Sequence, residues 1–527
     1  VPQRTGRDKP KEAAVVMPEK DQEKKGNHMR ITLIEPRAPG VHVYAKFKLP
    51  RLGLPLLGAL VERELGIRPT IYFQELGGID WDVVASSDLV GISTITPTAP
   101  EAYSLLEGIK KRGNVPVVMG GPHVTFLPEE ALRKGADFVI RGEGEYSFLE
   151  LVKRLREGRR DLDDIPGISY RDGEGFRHNP VIPRVDDLDD LPWPDLTLIR
   201  NWEKIRILPV MTSRGCPYNC KFCSVTKMFG RRYRFRSTED VLAELETLHR
   251  RNPKATIFFY DDNFTANVRR TKELLRGMIE RGIKVRWTAQ ARVDVIRDQE
   301  LLELMRESGC LFLYLGLESI NPKTLESYRK EQTVQDIAEA VKVLHSYGIK
   351  VHGMFVLGSD EDDVKTIRQT VRFARGLKID TVQFLVLTPL PGTETYEELR
   401  LQGRIIVEDW SKYSGHHVVF NPRNMTPYQL QKEGSIRAMR RFYSTWQCWK
   451  LGLLFRWKDM AIYVYAHHAV NRWRSLNRDF LKELKERGFR IRKPGAGEGD
   501  PDGDRGSPGT EKPMGPQPLT HPDQGRA

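Results

Sequence analysis

Residues 213–224 read SRGCPYNCKFCS, and three of the chain's five cysteines fall there as Cys216-x3-Cys220-x2-Cys223. Thiolates are soft donors that zinc and iron–sulfur sites share. A closed zinc site needs a fourth ligand, commonly from a second CxxC or a His pair. Cys310 and Cys448 stand alone, with no such partner beside them in sequence. Three thiolates from one loop are the right number for a [4Fe–4S] cluster with one iron left open. Gly215 and Pro217 suit the sharp turn such a loop must make. A zinc ribbon, or three incidental cysteines, are the other readings of this spacing.

The loop has to be placed by a fold. ILPVMTSRG (207–215) is a strand leading into it, and further strands are expected at TIFFYDD (256–262), KVRWTAQA (284–291), LFLYLGLES (311–319), KVHGMFVLG (350–358) and TVQFLVLTP (381–389). Helical stretches connect them. Six such units in about 190 residues predict a partial (β/α)6 barrel, with its site at the carboxyl ends of the strands. An earlier alternation precedes it: strands at RITLIE (30–35), TIYFQEL (70–76), DLVGIST (88–94), VPVVMGG (115–121) and DFVIRGEGE (137–145), with helices at 52–66 and 99–113. Short apolar strands alternating with helices predict a doubly wound parallel sheet, covered on both faces, with ligands beyond the strand ends.

Composition agrees with a folded α/β chain. The 527 residues are 39% hydrophobic and 9% aromatic, enough for about two to four domains. Five cysteines make no disulfide framework, and an odd number leaves one over. No secretory signal pattern opens the chain and no apolar run nears the ~20 residues of a membrane span, so a reducing cytoplasm is expected. The net charge of +13 is spread along the chain. By itself it does not identify a nucleic-acid binder.

The expected boundaries are a disordered tail at 1–28, a first domain at 29–158, a linker at 159–205, the barrel at 206–400, a helical region at 401–493 and a second disordered tail at 494–527. The linker is rich in Asp and Pro and contains a hairpin-like stretch, ISYRDGEGFRH. KKGN ahead of His28-Met29 reads as a translated ribosome-binding site, with Met29 the native start.

The cysteine spacing at a first strand end, with an aromatic before the last cysteine, resembles the radical S-adenosylmethionine superfamily. The resemblance implies that the open iron binds S-adenosylmethionine and that a 5′-deoxyadenosyl radical abstracts a substrate hydrogen. It places Phe222 near the adenine. It makes Asp261, Asp262 and Asn263, in FFYDDNFT, candidates for the methionine amino group. Arg292 is a candidate for a carboxylate, Glu318 in LGLES for the ligand's ribose or polar end, and LTPLPGTE (387–394) for the adenine. Each of these polar residues reads equally well as a helix cap or solvated turn.

Residues 29–158 resemble the cobalamin-binding domain that precedes the barrel in a large subfamily. VGISTITPT, VVMGGPHVTFLPEEAL and FVIRGEGE carry that resemblance. It implies that Ser93, Thr94, Gly120, Gly121, Gly142 and Gly144 let a corrin approach. The Asp-x-His-x-x-Gly motif of classical cobalamin enzymes is missing from EPRAPGVHVY (35–44). His42 and His123 are therefore read as loop histidines ahead of cobalt ligands. A scaffold without corrin and a generic Rossmann nucleotide site are alternatives, although GEGE lacks the G-x-G-x-x-G spacing.

The stretch 436–488 is helical, aromatic and basic, with Phe442, Trp446, Trp449, Phe455, Trp457, Tyr463, Tyr465 and Trp473 among its arginines. Membrane-interface helices and ordinary packing against the barrel both fit it. Cys448 reads as a buried thiol.

The expectation is a cobalamin-dependent radical S-adenosylmethionine enzyme of the class B methyltransferase type, methylating an unactivated carbon of a small molecule or lipid. A ferredoxin or flavodoxin is the implied electron donor, and no nucleic acid is expected. Location is cytoplasmic, with contact at the inner membrane surface as an option. Radical cyclisation, carbon–carbon coupling or oxidation, with a non-methylating first domain, is the alternative chemistry. A zinc-stabilised nucleic-acid-binding protein is the reading from another class.

Overall fold

Ile31–Glu35 (β1) is buried at every position, as a strand can be only inside a sheet covered on both faces. The computed structural model describes residues 29–38, 40, 48–159, 161–181 and 185–486. The expected tails and His42 lie outside them. Thr70–Phe73 (β2), Leu89–Ser93 (β3), Val117–Gly120 (β4), Phe138–Ile140 (β5), Ile168–Asp172 (β6) and Gly175–His178 (β7) complete the first sheet. Its order is β2-β1-β3-β4-β5-β6-β7. The first five strands are parallel, as the alternation predicts. The hairpin expected within the linker is β6–β7, and it adds antiparallel to the edge at β5.

The second sheet comprises Ile207–Val210 (β8) and, after the short antiparallel pair Ser213–Arg214 (β9) and Arg234–Phe235 (β10), the strands Thr256–Phe259 (β11), Arg286–Ala291 (β12), Cys310–Glu318 (β13), Lys350–Leu357 (β14) and Thr381–Val386 (β15). All six strands run parallel in the order β15-β14-β13-β12-β11-β8. This is the open six-unit barrel, with β8 and β15 as its edges.

Local signals start the connecting helices. Side chains of Ser237, Asn267, Asp298, Thr333 and Asp363 each accept a backbone N–H of the first turn, a cap contributing about 1 kcal/mol. Under the end of β11, Phe259 stacks on Phe264 with centroids 4.4 Å apart, and both pack on the fully buried Trp287. A cavity at such a ring costs about 3–5 kcal/mol. This cluster fixes the strand end that carries residues 261–263.

The C-terminal region folds into the helices Ala438–Phe442, Thr445–Leu453, Trp457–Leu476 and Arg478–Glu486. Its aromatics divide. Phe442 and Trp473 are buried and Tyr463 and Tyr465 pack on the core, whereas Trp446, Trp449, Phe455 and Trp457 are exposed. Cys448, expected to be buried, is half-buried, while Cys310 lies in the core. No helix among the described residues is long and apolar enough to cross a membrane.

Candidate functional site

The cysteine loop leaves β9 through Gly215, whose φ is +90°. A Cβ there would stand 2.6 Å from the Arg232 carbonyl oxygen, so the turn requires glycine. The loop is then pinned from several sides. Cys216 N–H donates to Gly230 O at 3.3 Å, Cys223 N–H to Cys220 O at 3.1 Å, and Lys221 N–H to Tyr328 O at 3.4 Å. Phe222 meets the Tyr328 ring edge-on at 4.9 Å, which fixes its plane.

The three thiols are half-buried. Burial pushes all three up, Cys223 to about 12, and the charges of Asp262 and the other two cysteines add to its rise. Lys330 acts the other way on Cys216 and Cys220. Among the described residues no three His, Cys, Asp or Glu side chains are gathered tightly enough to hold a metal ion. The three thiols nonetheless share one loop and feel one another's charge.

Two of the polar candidates face this loop. Asp262, just past the end of β11, keeps an exposed surface and its charge acts on Cys216 and Cys223; desolvation, then the charge of Asp261, raises its carboxyl to about 7. Glu318 ends β13 at φ +57°, beyond a break in register. Its Oε1 accepts from Lys330 Nζ at 2.7 Å, with both side chains nearly buried. A Cβ on Gly316 would lie 2.7 Å from each of those two atoms, so any larger residue there would push the pair's end groups aside. Arg329 and Glu331, flanking Lys330, are also left-handed, at +53° and +51°. Three non-glycine residues in that region mark a loop held against its own preference.

The other candidates are turned into the protein. Asp261 Oδ1 accepts from Thr212 N–H at 3.0 Å, Thr212 Oγ1 at 3.2 Å and Ser213 Oγ, tying β11 to the strand that feeds the cysteine loop. Asn263 offers its Oδ1 to Thr265 Oγ1 and its carbonyl to Tyr233 OH. Arg292 lies 3.8 Å from the centroid of the Tyr218 ring and donates to Lys330 O at 2.8 Å. It braces the cysteine loop from below.

On the first domain, Ser93, Thr94, Gly120 and Gly121 sit side by side at the ends of β3 and β4. A Cβ on Gly120 meets nothing nearer than 3.8 Å, whereas one on Gly121 would stand 2.6 Å from Thr94 O. Gly142 and Gly144 are likewise crowded, by Val181 at 3.1 Å and Ile140 at 3.0 Å. The fold therefore supplies its own steric reason for three of these four glycines. The buried Thr94 hydroxyl has no protein partner. His123 is fully buried against Trp410, its Nδ1 is 3.4 Å from Thr96 Oγ1, and burial lowers its pKa to about 4. An open hollow of about 470 Å3, lined by Arg37, Gln74, Trp81, Glu101, Lys111 and Arg112 among others, includes none of these candidates.

Sequence reasoning missed what joins the two strand-end faces. Glu143, between the glycines of GEGE, binds Arg214 at 3.0 Å and both terminal nitrogens of Arg234; Glu145 takes Arg214 Nη2 at 2.6 Å. All four side chains are at most 8% exposed. Burial pulls the Arg214 pKa down, but the charges of Glu145 and Glu143 outweigh it and the net shift is upward. Arg214 stands two residues before Cys216. Trp410 Nε1 donates to Glu130 at 3.0 Å, and a Cβ on Gly392, in the LTPLPGTE loop, would run into the Phe126 ring. A signal was present in the two acids of GEGE and the arginine abutting the cysteines, but nothing local pairs them.

The donors suit the expected groups. Three thiolates flanked by Lys330 fit an anionic iron–sulfur cluster. Small strand-end residues with an unpartnered Thr94 hydroxyl fit a broad ligand lying on the first sheet.

The sequence pattern of the Radical SAM superfamily matches residues 210–374, and that of the B12 binding domain matches residues 78–152. An uncharacterized methyltransferase of Pyrococcus horikoshii is 36% identical over 433 residues, covering 80% of this chain and 91% of its own length. The bacteriochlorophyllide d C-12(1)-methyltransferase of Chlorobaculum tepidum is 30% identical, covering 68% and 75%. The anaerobic magnesium-protoporphyrin IX monomethyl ester cyclase of Cereibacter sphaeroides is 32% identical, covering 68% and 60%. Among solved structures, the cobalamin-dependent S-adenosylmethionine radical enzyme OxsB superposes with a TM-score of 0.64 at 17% identity, over 87% of this chain and 80% of that one. The radical S-adenosylmethionine methyltransferase TsrM of Kitasatospora setae gives 0.60 at 21%, over 71% and 75%. These two likenesses carry the fold.

Proposed function

The chain belongs to the radical S-adenosylmethionine superfamily, with a B12 binding domain ahead of its barrel, and from that premise we propose that it methylates an unactivated carbon of an apolar small molecule or lipid. The observation that carries this reading is the buried Glu143–Arg214–Arg234 junction, which turns the strand ends of the first sheet toward the cysteine loop. When bound, the cluster and S-adenosylmethionine supply a hydrogen-abstracting radical, and cobalamin supplies the methyl group.

In this proposal Cys216, Cys220 and Cys223 hold the cluster. Lys330 offsets their negative charge from 2.7 Å behind Glu318. Glu318 and Asp262 are the acceptors for the ligand's ammonium and hydroxyl groups, and Phe222, fixed by Tyr328, is the wall beside the adenine. Asp261, Asn263 and Arg292 position these groups through the contacts described above. Ser93, Thr94 and Gly120 form the floor on which the corrin lies. Relatives named for bacteriochlorophyllide and hopanoid substrates support an apolar substrate class. A ferredoxin or flavodoxin is the proposed electron donor, and the cytoplasm the proposed location.

Protein purified without oxygen from a cobalamin-supplied host tests this. About four iron and one cobalt per chain are expected. Turnover on a candidate substrate should release S-adenosylhomocysteine together with 5′-deoxyadenosine, and replacing all three cysteines by Ala should remove the iron. A second reading, radical cyclisation, draws on the 32% identity to the Cereibacter cyclase. It would show as 5′-deoxyadenosine without S-adenosylhomocysteine. Zinc in place of iron would refute both.

A further inference from the structure

Of the thirteen bulky apolar side chains left exposed among the described residues, six fall between residues 446 and 457. Trp446, Trp449 and Leu453 recur along one face of the helix Thr445–Leu453, and Leu454, Phe455 and Trp457 carry the patch through the turn that follows. Their exposures run from 56% at Trp457 to 79% at Phe455. Single exposed apolar residues are ordinary, but a contiguous patch marks a contact surface. Phe455 also holds φ +54°, a conformation that costs a non-glycine residue free energy. No burial of its ring within the described residues offsets that cost.

Beside this tip is a cationic hollow of about 520 Å3, lined by Arg437, Arg440, Arg441, Ser444, Thr445 and His467. One carboxylate, Glu433, is shared there by Arg368, Arg437 and Arg441, so guanidinium charge is in excess. Lys450 on the helix and Arg456 in the turn extend the basic rim; Arg456 pairs with Asp459, which also takes Lys350.

We propose that this tip docks on an anionic phospholipid surface, its aromatic and aliphatic side chains entering the interface while the arginines meet lipid phosphates. Tryptophan is suited to that boundary because one end of its ring is apolar and the other donates a hydrogen bond. Guanidinium groups pair with phosphate oxygens in two-pronged fashion. Peripheral docking also agrees with there being no helix among the described residues able to cross the bilayer. A soluble acidic protein matches the rim but leaves six large apolar side chains without a purpose. A second copy would set arginines against arginines across a twofold axis.

The geometry fixes the orientation. Lys350 opens β14 and binds Asp459 at 3.0 Å; Val382, near the start of β15, is bonded through its N–H to Tyr443 OH at 2.8 Å. The tip therefore hangs at the strand-start end of the barrel, opposite the cysteine loop, and docking leaves the mouth uncovered. The proposal does not depend on which bond the enzyme forms.

The test uses the full chain and vesicles of phosphatidylcholine alone or with roughly one-third phosphatidylglycerol, in low and high salt. Co-sedimentation should favour the anionic vesicles about tenfold and weaken with salt. Trp449→Ala with Phe455→Ala should reduce binding at least tenfold, because two large apolar groups no longer leave water. Arg440→Gln with Arg441→Gln should erase the preference for anionic vesicles. Circular dichroism should be unchanged in both, since these side chains sit at the surface. Failure to sediment with either vesicle overturns the proposal, as does binding that both double variants retain. So would vesicle-free dimers, seen by sedimentation velocity, that the tip variants abolish.

Discussion

A single lysine does more at the candidate site than its place in the sequence suggests. Lys330 is nearly buried, sits between two left-handed residues and pairs with Glu318. Burial opposes its charge, yet Glu318 and then Cys220 more than compensate, and its pKa is raised. Removing one member of a buried pair leaves the other charge uncompensated, at about 3–5 kcal/mol. Lys330→Met should therefore lower the unfolding midpoint clearly. Glu318→Gln strands Lys330 in the same way and should also lower the midpoint; on protein that is still folded it should weaken S-adenosylmethionine binding about tenfold, equal to ~1.4 kcal/mol, an effect Lys330→Met should not match. Thermal melts and equilibrium dialysis on the reconstituted protein separate the two effects. Equal affinity in Glu318→Gln would remove Glu318 from the ligand's surroundings. The cysteines were legible because metal chemistry dictates both residue type and spacing over eight positions. Lys330 was not, since its role comes from meeting a residue twelve positions earlier across a bulged strand end.

At the scale of elements, both parallel sheets are legible because their strands are short, largely buried runs, and in the barrel most connecting helices begin at a side-chain cap. The antiparallel β6–β7 edge was harder: a hairpin signal states that two strands pair, not which sheet they join. The same limit hid the loop after β5. GEGE was read for its glycines, yet its acids carry the contact to β9 and β10. A double-mutant cycle on Glu143→Gln and Arg234→Met measures this contact. Each single change should cost about 3–5 kcal/mol in urea unfolding. The pair together should cost less than the sum by at least about 1 kcal/mol. Strict additivity would mean that the two side chains do not share a contact in solution.

Over the whole molecule, buried histidines set an acid limit. Burial lowers His123 and His417 to about 4, and His352 to about 3 although a hydrogen bond donated to Gln383 opposes the shift. Unfolded imidazoles take up protons below about 6.5. Between that value and the folded pKa the unfolded chain binds more protons, so stability falls as pH falls. Above about 6.5 both states are neutral and the effect vanishes. Asp262, raised to about 7, contributes with the opposite sign in the same window. A comparison of His352→Gln with the parent chain isolates one imidazole. Its unfolding free energy should depend on pH less steeply between pH 6.5 and 4, by up to ~1.4 kcal/mol per unit. Parallel curves would show that His352 titrates alike in both states.

The buried junction has a consequence for how such a chain can be inherited. Arg214 and Arg234 belong to the barrel, and their carboxylates belong to the domain before it. Cut apart, the barrel would keep two guanidinium groups with no counter-ion and the other half two stranded acids. An exchanged first domain would avoid that cost if it carried carboxylates at the positions of Glu143 and Glu145. Separating the two domains would thus carry an electrostatic cost that is independent of catalysis.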